Sequence, residues 1–443
     1  MDQKQALNIL KLGHNVFLTG AAGSGKTHLL NQYIKYLRSN QVIVGITAST
    51  GIAATHMNGK TIHSWAHLGI KDELTASDLS RIVNREDYKT KLLNTKVLII
   101  DEVSMLHHFR FDMVNQVLQK VHQNDLAFGG IQVILCGDLF QLPPVTRGNQ
   151  MTKYINDSDV WNKMNIKICY LTEQYRQDGG DFLQLLDEIR HNDVSEYSSE
   201  KLQERMHKDI DMNIQPTKLY THNIDVDSIN DTELDKLSTE DHLYQMVSHG
   251  DKNLVKPLID NCLAPNELHI RKGAVVMFVQ NNFSKGYVNG TLGEVVGFSK
   301  EGNYPTVKTL NGKIINAIPA SWRIEEGEEV VAEITQVPLR LAWAITVHKS
   351  QGMTLDAAQI DLSRAFVSGM GYVALSRVKS LDGIKLLGIN SIALRVDPRV
   401  TIADITFRQN SLKVVDELNS MRPGELKKLH NEYIEEITFN DSK

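Results

Sequence analysis

One lysine, one threonine and the glycines around them could bind the phosphates of a nucleotide. The segment GAAGSGKT, residues 20–27, matches every fixed position of the pattern G-x-x-x-x-G-K-[ST], between a predicted strand and a predicted helix. Lys26 is expected to reach the β and γ phosphates, and Thr27 to ligate Mg²⁺. An ordinary glycine turn explains less of this context. The whole loop is predicted to contact the nucleotide, its glycine backbone wrapping the phosphates: Gly20, Ala21, Ala22, Gly23, Ser24, Gly25, Lys26 and Thr27.

Two adjacent acids could complete this site. The segment VLIIDEVSM, residues 97–105, is an apolar run that ends in Asp101 and Glu102. In open α/β sheets, ligands bind beyond the carboxyl ends of the strands. Asp101 is therefore expected to hold Mg²⁺, directly or through water, and Glu102 to polarise an attacking water. The alternative is a strand end followed by a helix cap. A small-molecule kinase would need an acceptor-binding lid, which the sequence does not identify.

A glutamine follows a third apolar run. The segment GDLFQLPPV, residues 137–145, follows IQVIL and carries Asp138 and Gln141. The simplest interpretation is a buried strand that the two prolines end. If the three strands are neighbours, however, Gln141 can donate to a γ-phosphate oxygen and lose that bond on hydrolysis. We expect this segment to couple the nucleotide to a second ligand.

The elements that must position these residues follow from apolar patterning. Apolar runs recur through the first 175 residues and are continuous rather than alternating, which is typical of strands covered on both faces. A helix is predicted between the first two runs, because apolar residues recur with helical spacing on one face. Alternation of strand and helix predicts a parallel α/β sheet. The helix face consists of Leu30, Tyr33, Ile34 and Leu37.

The pattern changes after about residue 240. From Leu268 to Val337 the segments are short and β-like, with the turn dipeptides Asn289-Gly290 and Asn311-Gly312. The α/β pattern then returns, which predicts a β domain inserted in a second α/β domain. The polar, amphipathic stretch from about Asp404 is expected to form helices packed on that second domain.

Composition narrows the class. The chain has 443 residues, 42% of them hydrophobic and 23% charged, which is typical of a globular protein of several domains. No segment has the roughly 18 apolar residues of a membrane helix, and no secretory signal is evident. Three isolated cysteines predict a reduced, cytoplasmic compartment (at the nucleoid, if bacterial) and disfavour a zinc site. The net charge of −5 leaves room for a locally basic nucleic-acid channel.

Further segments complete an ordered set of motifs. After the phosphate loop come TASTGIAA, DEVSM, GDLFQLPPV, LTEQYRQ, AWAITVHKSQGMTLD and GYVALSRV. This set resembles the superfamily 1 helicases. GKTIHSWAHLGI and NDLAFGGIQVILCGDLFQLPPV narrow the resemblance to the Pif-type (petite integration frequency) 5′→3′ DNA helicases. The resemblance spans roughly residues 1 to 395.

The resemblance implies an α/β fold of two RecA-like parallel-sheet lobes, a P-loop NTPase with a small β-barrel inserted in the second lobe. ATP and Mg²⁺ would bind between the lobes. The first lobe is expected at residues 1–175, with a wedge element at about 63–71. The second lobe is expected at 176–240 and 331–403, with the inserted barrel at 241–330 between its two parts. Residues 404–443 are expected to form a C-terminal helical tail.

The resemblance also assigns roles to individual residues. Gln3 would read the adenine edge, Arg176 and Arg377 would contact the γ-phosphate, and Gly352 would allow close approach near the nucleotide. A guanidinium suits such a role because its planar fork gives fixed, bidentate phosphate contacts. The residues expected to contact DNA are Thr50, Gly51, Lys60, Thr61, His63, Phe140, Thr346, His348 and Lys349.

Several roles stay open at this point. His63 and His67 could be hydrogen-bonded core residues or DNA contacts, and a metal site is disfavoured because no third ligand is evident. Trp65 is expected in the core, with a base-stacking wedge as the alternative. Phe140, Trp343 and Phe283 could stack on bases or lie in the core.

The predicted function is an ATP-dependent motor that translocates 5′→3′ on single-stranded DNA and unwinds forked duplex DNA, with quadruplex DNA left open as a further substrate. Only the resemblance supplies the polarity and the preference for DNA. The alternatives are a nucleotide-dependent switch or scaffold without strand separation, and an RNA-directed motor on the same fold. A monomer is expected, with oligomers on DNA left open.

Overall fold

The computed structural model describes residues 1–68, 72–146, 151–175, 180–211, 216–221, 226–282, 284–326 and 329–439, with backbone only at 261, 325, 326 and 439. The chain divides into two compact units. The first unit is Met1–Leu139, Pro143–Tyr175 and Arg399–Lys443; the second is Phe140–Leu142 and Arg176–Pro398. The division after Tyr175 coincides with the predicted end of the first lobe. In the described part of the chain, no helix is both long and apolar enough to cross a membrane.

The first unit is built on a parallel sheet of six strands in the order β3-β2-β4-β5-β1-β6. Every residue of β1, β4 and β5 is buried, as their continuous apolar runs predict. The strands are β1 (Val16–Gly20), β2 (Val44–Ala48), β3 (Lys60–Thr61), β4 (Val97–Asp101), β5 (Gln132–Cys136) and β6 (Lys167–Leu171).

Helices surround this sheet. The predicted helix after the phosphate loop is present, and its apolar face is buried. The N-terminal helix is capped by Asp2, whose side chain accepts from the Gln5 N–H in a capping box. The helices are α1 (Gln3–Lys11), α2 (Lys26–Ser39), α3 (Gly51–His56), α4 (Ile62–Trp65), α5 (Ala76–Val83), α6 (Glu86–Asn94) and α7 (His108–His122).

The second unit has its own parallel sheet, in the order β18-β7-β19-β20, formed by β7 (Thr217–Tyr220), β18 (Ala344–Thr346), β19 (Ala358–Leu362) and β20 (Ile384–Ile389). The two parallel sheets confirm the α/β class. The helices of this unit are α8 (Asp181–His191), α9 (Glu196–Gln203), α10 (Val226–Asp235), α11 (Lys252–Asn261) and α12 (Met370–Leu375).

An antiparallel β region interrupts the second unit. Its strands are β8 (Asp241–Gln245), β9 (Val247–Gly250), β10 (Glu267–Arg271), β11 (Val275–Phe278), β12 (Leu292–Phe298), β13 (Pro305–Thr309), β14 (Ile314–Asn316), β15 (Ala320–Glu326), β16 (Glu329–Gln336) and β17 (Leu339–Leu341).

The sheets of this region change two predictions. Among the described residues the strands form sheets of two, five and three strands, so a single closed barrel is not observed. β16 and β17 pair within these sheets, so the boundary predicted at residue 331 is wrong, and the parallel sheet resumes only at β18. Asn311-Gly312 makes the tight turn between β13 and β14, whereas Asn289-Gly290 ends a longer connection between β11 and β12.

The C-terminal segment is helical, as predicted, but it packs in the first unit and not on the second domain. Its helices are α13 (Pro398–Ser420) and α14 (Pro423–Phe439). Val414 and Leu418 lie in the hydrophobic core that includes β1 and β6. The Tyr433 hydroxyl donates to Gln132 at 3.0 Å, and the Tyr170 N–H donates to the Ser411 hydroxyl at 3.1 Å. Apolar helix faces predict burial, but they do not predict which core receives them.

Candidate nucleotide and nucleic-acid site

The sheet order of the first unit brings the predicted chemistry to one edge. β4, β5 and β1 are neighbours, and they are parallel, so their carboxyl ends lie at the same edge. Asp101 is the last residue of β4, and Gly20 is the last residue of β1. Gly137 follows β5, and its N–H donates to Leu18 of β1 at 3.1 Å. The phosphate loop after β1 and the acid pair at the end of β4 therefore lie at the same edge of one sheet, with only β5 between their strands.

The phosphate loop has the backbone that its glycines predict. Gly20, Gly23 and Gly25 have φ values of 143°, 84° and 83°, a region that side chains with a Cβ rarely adopt. The Lys26 ammonium donates to the carbonyl oxygens of Gly20 at 2.8 Å and Ala21 at 3.0 Å. Its charge is thus held within the loop, at the N-terminus of α2, where the helix dipole also favours an anion.

Two side chains border the loop at Gly25. A Cβ at Gly25 would lie 2.1 Å from Gln3 Nε2, and this amide reaches Ser24 O at 3.5 Å. The structure therefore places Gln3 beside the nucleotide loop, where the prediction needs it. The ring of Tyr175, which is 63% exposed, also lies next to Gly25, where a Cβ would be 3.6 Å from its Cδ2. The Tyr175 N–H donates to Gly23 O at 2.9 Å. Sequence reasoning missed Tyr175, although it stands in the quoted segment LTEQYRQ.

The acid pair is held in a strained and partly buried geometry. Glu102 has φ 51°, which is uncommon for a residue with a side chain. Its N–H donates to the Asp101 carboxylate at 2.8 Å. Burial raises the pKa of Asp101, while the Cys136 thiol, the Glu102 N–H and the positive charge of Lys26 oppose that rise. Burial also raises the pKa of the Cys136 thiol well above its usual value, so it stays protonated and can donate to Asp101.

Ser49 connects the acid pair to the first predicted DNA segment. Its N–H donates to Asp101 O at 3.0 Å, and its hydroxyl donates to Glu102 O at 2.5 Å. The next residue, Thr50, caps α3 by accepting from the Ala53 N–H at 3.3 Å. Thr50 and Gly51 thus present the N-terminus of a short helix beside the acids. The hydrogen-bonding role of Ser49 depends on strand order and could not be read from its motif.

The second DNA segment of the first unit is less exposed than predicted. Lys60 lies in β3 and is buried, with 9% of its surface exposed, so it offers little to a DNA backbone in this conformation. Thr61 caps α4 by accepting from the Ser64 N–H at 3.3 Å. Trp65 is buried, so its core assignment is confirmed. The wedge predicted at about 63–71 lies partly outside the described residues, since 69–71 are not described.

His63 is a neutral side chain at physiological pH. Burial, together with the positive charges of Arg110 and His107, lowers the pKa of His63 to about 4. A neutral imidazole can donate one hydrogen bond to a phosphate but brings no positive charge. If His63 contacts DNA, as predicted, it does so as a hydrogen-bond donor.

The segment with Gln141 belongs to the second unit. Phe140, Gln141 and Leu142 are all buried. The guanidinium of Arg190 lies over the Phe140 ring, 4.0 Å from its centroid. Phe140 is only 4% exposed in this structure, and its contact with DNA stays a prediction. Gln141 accepts a hydrogen bond from Gln351 Nε2 at 3.4 Å, a partner that the motif alone does not reveal.

The counterpart segment of the second unit follows β18. Thr346 is buried, and its hydroxyl accepts from the Lys349 N–H at 3.2 Å. Burial lowers the pKa of His348, which is therefore neutral at physiological pH. Gly352 is exposed and has φ 78°. The hydroxyl of Thr346 thus shapes this loop, while His348, Lys349 and Gly352 keep accessible surface for a ligand.

Of the two arginines predicted at the γ-phosphate, the structure describes only Arg377. Arg377 is 1% exposed, and its guanidinium donates to Val373 O and Ser376 Oγ, both at 2.9 Å. It is held at the end of α12 in this conformation. Arg176 lies outside the described residues. The roles of both arginines at the γ-phosphate stay predictions.

A glycine-rich phosphate loop on a parallel sheet, with a lysine inside it and an acid pair on a nearby strand, defines a P-loop nucleoside triphosphatase. Residues 1–204 match the model of the PIF1-like helicase family, and residues 254–298 match that of the DNA helicase Pif1 2B domain. The chain is 44% identical to the ATP-dependent DNA helicase Pif1 of Psychrobacter sp. over 98% of its own length and 75% of the relative's. The chain belongs to the PIF1-like family of ATP-dependent DNA helicases.

Solved structures agree with this assignment. Bacteroides sp. Pif1 in complex with ADP-AlF4 matches with a TM-score of 0.79 and 33% identity, over 92% of this chain and 96% of that one. Bacteroides Pif1 in complex with ADP-AlF3 and single-stranded DNA matches with a TM-score of 0.62 and 31% identity, over 92% and 96% of the two chains. The human ATP-dependent DNA helicase PIF1 is 37% identical over 92% of this chain, and the chain spans 64% of that relative's length.

Proposed function

We propose that this chain is a single-stranded DNA translocase that uses ATP hydrolysis to separate the strands of forked duplex DNA, moving 5′→3′. The observation that carries the proposal lies within the first unit. Ser49, in the segment predicted to bind DNA, donates hydrogen bonds to the backbone of both Asp101 and Glu102. A shift of that segment on DNA binding would therefore move the residue expected to activate water. A switch whose hydrolysis is indifferent to DNA has no need of this link.

The bound complexes of the Bacteroides relative support the same ligands. That protein has been seen with ADP-AlF3 together with single-stranded DNA, and another similar structure describes two coordinating Pif1 helicases at forked duplex DNA. The polarity rests on family resemblance alone, and we propose a monomer as the basic unit. A cytoplasmic location is likewise part of the proposal.

The residues present fit a magnesium ion. Mg²⁺ prefers hard oxygen ligands, and it usually takes few from protein. Asp101 supplies a buried carboxylate at the carboxyl edge of the sheet, and Thr27 supplies an exposed hydroxyl next to Lys26. When bound, the ion supplies positive charge that neutralises the phosphates during transfer. Asp101 and Thr27 are the residues we propose to hold it.

The proposal predicts that single-stranded DNA stimulates ATP hydrolysis. Steady-state ATPase rates with and without an unstructured oligonucleotide should differ by about tenfold or more, since coupling between two sites is commonly 5–150-fold. The oligonucleotide concentration for half-maximal stimulation should rise with salt, because neutralised phosphates release counterions.

Two controls separate the alternatives. An RNA oligonucleotide of the same sequence tests for an RNA-directed motor and should stimulate less than DNA. A rate that is indifferent to both nucleic acids would contradict the motor and favour a switch or scaffold.

A further inference from the structure

Arg190 is a buried charged residue that lies outside the nucleotide and DNA segments described above. It lies on α8 and is 2% exposed. Its guanidinium covers the Phe140 ring at 4.0 Å and donates to the Tyr372 hydroxyl at 2.9 Å. Burying a guanidinium carries a large desolvation cost, which an apolar side chain of similar volume would avoid. A charged residue here therefore indicates a role that needs its fixed geometry.

The ring that Arg190 covers belongs to Phe140, the residue directly before Gln141, and α12 packs against the backbone of both. Gly369, which caps α12, has φ +84°, and a Cβ there would lie 2.6 Å from Phe140 O and 2.8 Å from Gln141 O. The Phe140 ring is held on its face by Arg190, and the Gln141 amide is held by Gln351. Neighbouring residues thus contact the Phe140 ring, the carbonyl oxygens of Phe140 and Gln141, and the side-chain amide of Gln141.

The same helix also carries the predicted γ-phosphate arginine. Tyr372, the hydroxyl partner of Arg190, is followed by Val373, whose carbonyl accepts from Arg377 Nε at 2.9 Å. One buried guanidinium therefore connects, through two short paths, to two of the residues that are predicted to contact the γ-phosphate, Gln141 and Arg377. These paths lie wholly in the second unit.

We propose that Arg190 is a positioning residue, which holds Phe140 and Tyr372 so that Gln141 and Arg377 keep one arrangement. This inference rests on the proposed function. Without the guanidinium, the Phe140 ring loses its cover and the Tyr372 hydroxyl loses a donor. Small displacements of catalytic groups have large effects on rate, and a 1 Å misplacement can cost on the order of 100-fold.

The test compares two buried arginines of the same unit. Arg205 is 5% exposed and donates to the carbonyls of Ile384 and Asp382, both at 2.8 Å, and it does not serve the Gln141 segment. We expect Arg190→Met to lower the DNA-stimulated kcat by at least about tenfold with little change in KM for ATP. Arg205→Met should keep the stimulated kcat within about threefold of wild type, even if its melting temperature falls as much as that of Arg190→Met.

Two further variants keep the inference testable if Arg190→Met folds poorly. Phe140→Leu removes the ring face and should reproduce the loss of stimulated kcat. Arg190→Lys keeps a charge without the planar fork, and it should recover only part of the rate. Nucleotide binding, followed with a fluorescent ATP analogue, should persist in all three variants.

The outcomes separate a failure of this inference from a failure of the proposed function. A wild-type enzyme that DNA does not stimulate would overturn the proposed function, and this inference with it. A stimulated wild type together with a folded Arg190→Met variant that keeps full stimulation would overturn the inference alone. An equal loss of stimulated kcat in Arg205→Met would also overturn it, because the effect would then be one of stability.

Discussion

Lys26→Ala is expected to lower DNA-stimulated ATP hydrolysis by on the order of 10²–10³, and to abolish unwinding. The Lys26 ammonium lies 2.8 Å from Gly20 O and 3.0 Å from Ala21 O, inside the loop that is built to bind phosphates. Alanine removes the positive charge that would neutralise the transferring group, but it leaves the glycine backbone in place. Single-turnover hydrolysis with saturating oligonucleotide measures the effect directly.

The matched control for this variant is Lys35→Ala. Lys35 lies on the same helix, α2, and is exposed. Its replacement removes the same charge from the same element, so the rate should stay near wild type. A Lys26→Ala variant that keeps more than about a tenth of the stimulated rate would show that the Lys26 ammonium does not act on the transferring phosphate.

Arg377→Lys is expected to lower kcat by about 10³, because an arginine that contacts the transferring phosphate contributes 10³–10⁵ in characterised enzymes. Lysine keeps the charge but not the planar fork that can bind two oxygens. In the structure this guanidinium is buried and donates to Val373 O and Ser376 Oγ, so its direction is set by α12. Binding of an ATP analogue should change far less than kcat.

Arg364→Lys is the control for the second prediction. Arg364 is an exposed arginine of the same unit. Its replacement should leave both kcat and thermal stability unchanged within error. If Arg377→Lys hydrolyses ATP at the wild-type rate, the role assigned to Arg377 from the family motif is wrong, and Arg377 is a buried structural residue.

The nucleotide site was predictable because its chemistry is local. The phosphate loop needs consecutive glycines, a lysine and a threonine, and the apolar runs before and after it form the buried strand and helix that they predict. Asp101 and Glu102 were predictable for the same reason, since a buried strand delivers its last residues to one edge of a parallel sheet.

What the sequence did not reveal depends on contacts between distant residues. Phe140 looks like a candidate for base stacking until Arg190, which lies far along the chain, covers its face. Ser49 becomes informative only when β2 pairs with β4 and brings it to the acids. The helices α13 and α14 show amphipathic patterning, but only long-range packing against Tyr170 and Gln132 assigns them to the first unit.

Unwinding of duplexes with a single tail tests the central claim most directly. The two substrates have the same duplex sequence. One carries only a 5′ single-stranded tail, and the other carries only a 3′ single-stranded tail. With ATP and Mg²⁺, the wild-type enzyme should release the labelled strand from the 5′-tailed substrate, and should do so little or not at all from the 3′-tailed one. Release without ATP, release from the 3′-tailed substrate alone, or no release from either would contradict a 5′→3′ DNA helicase.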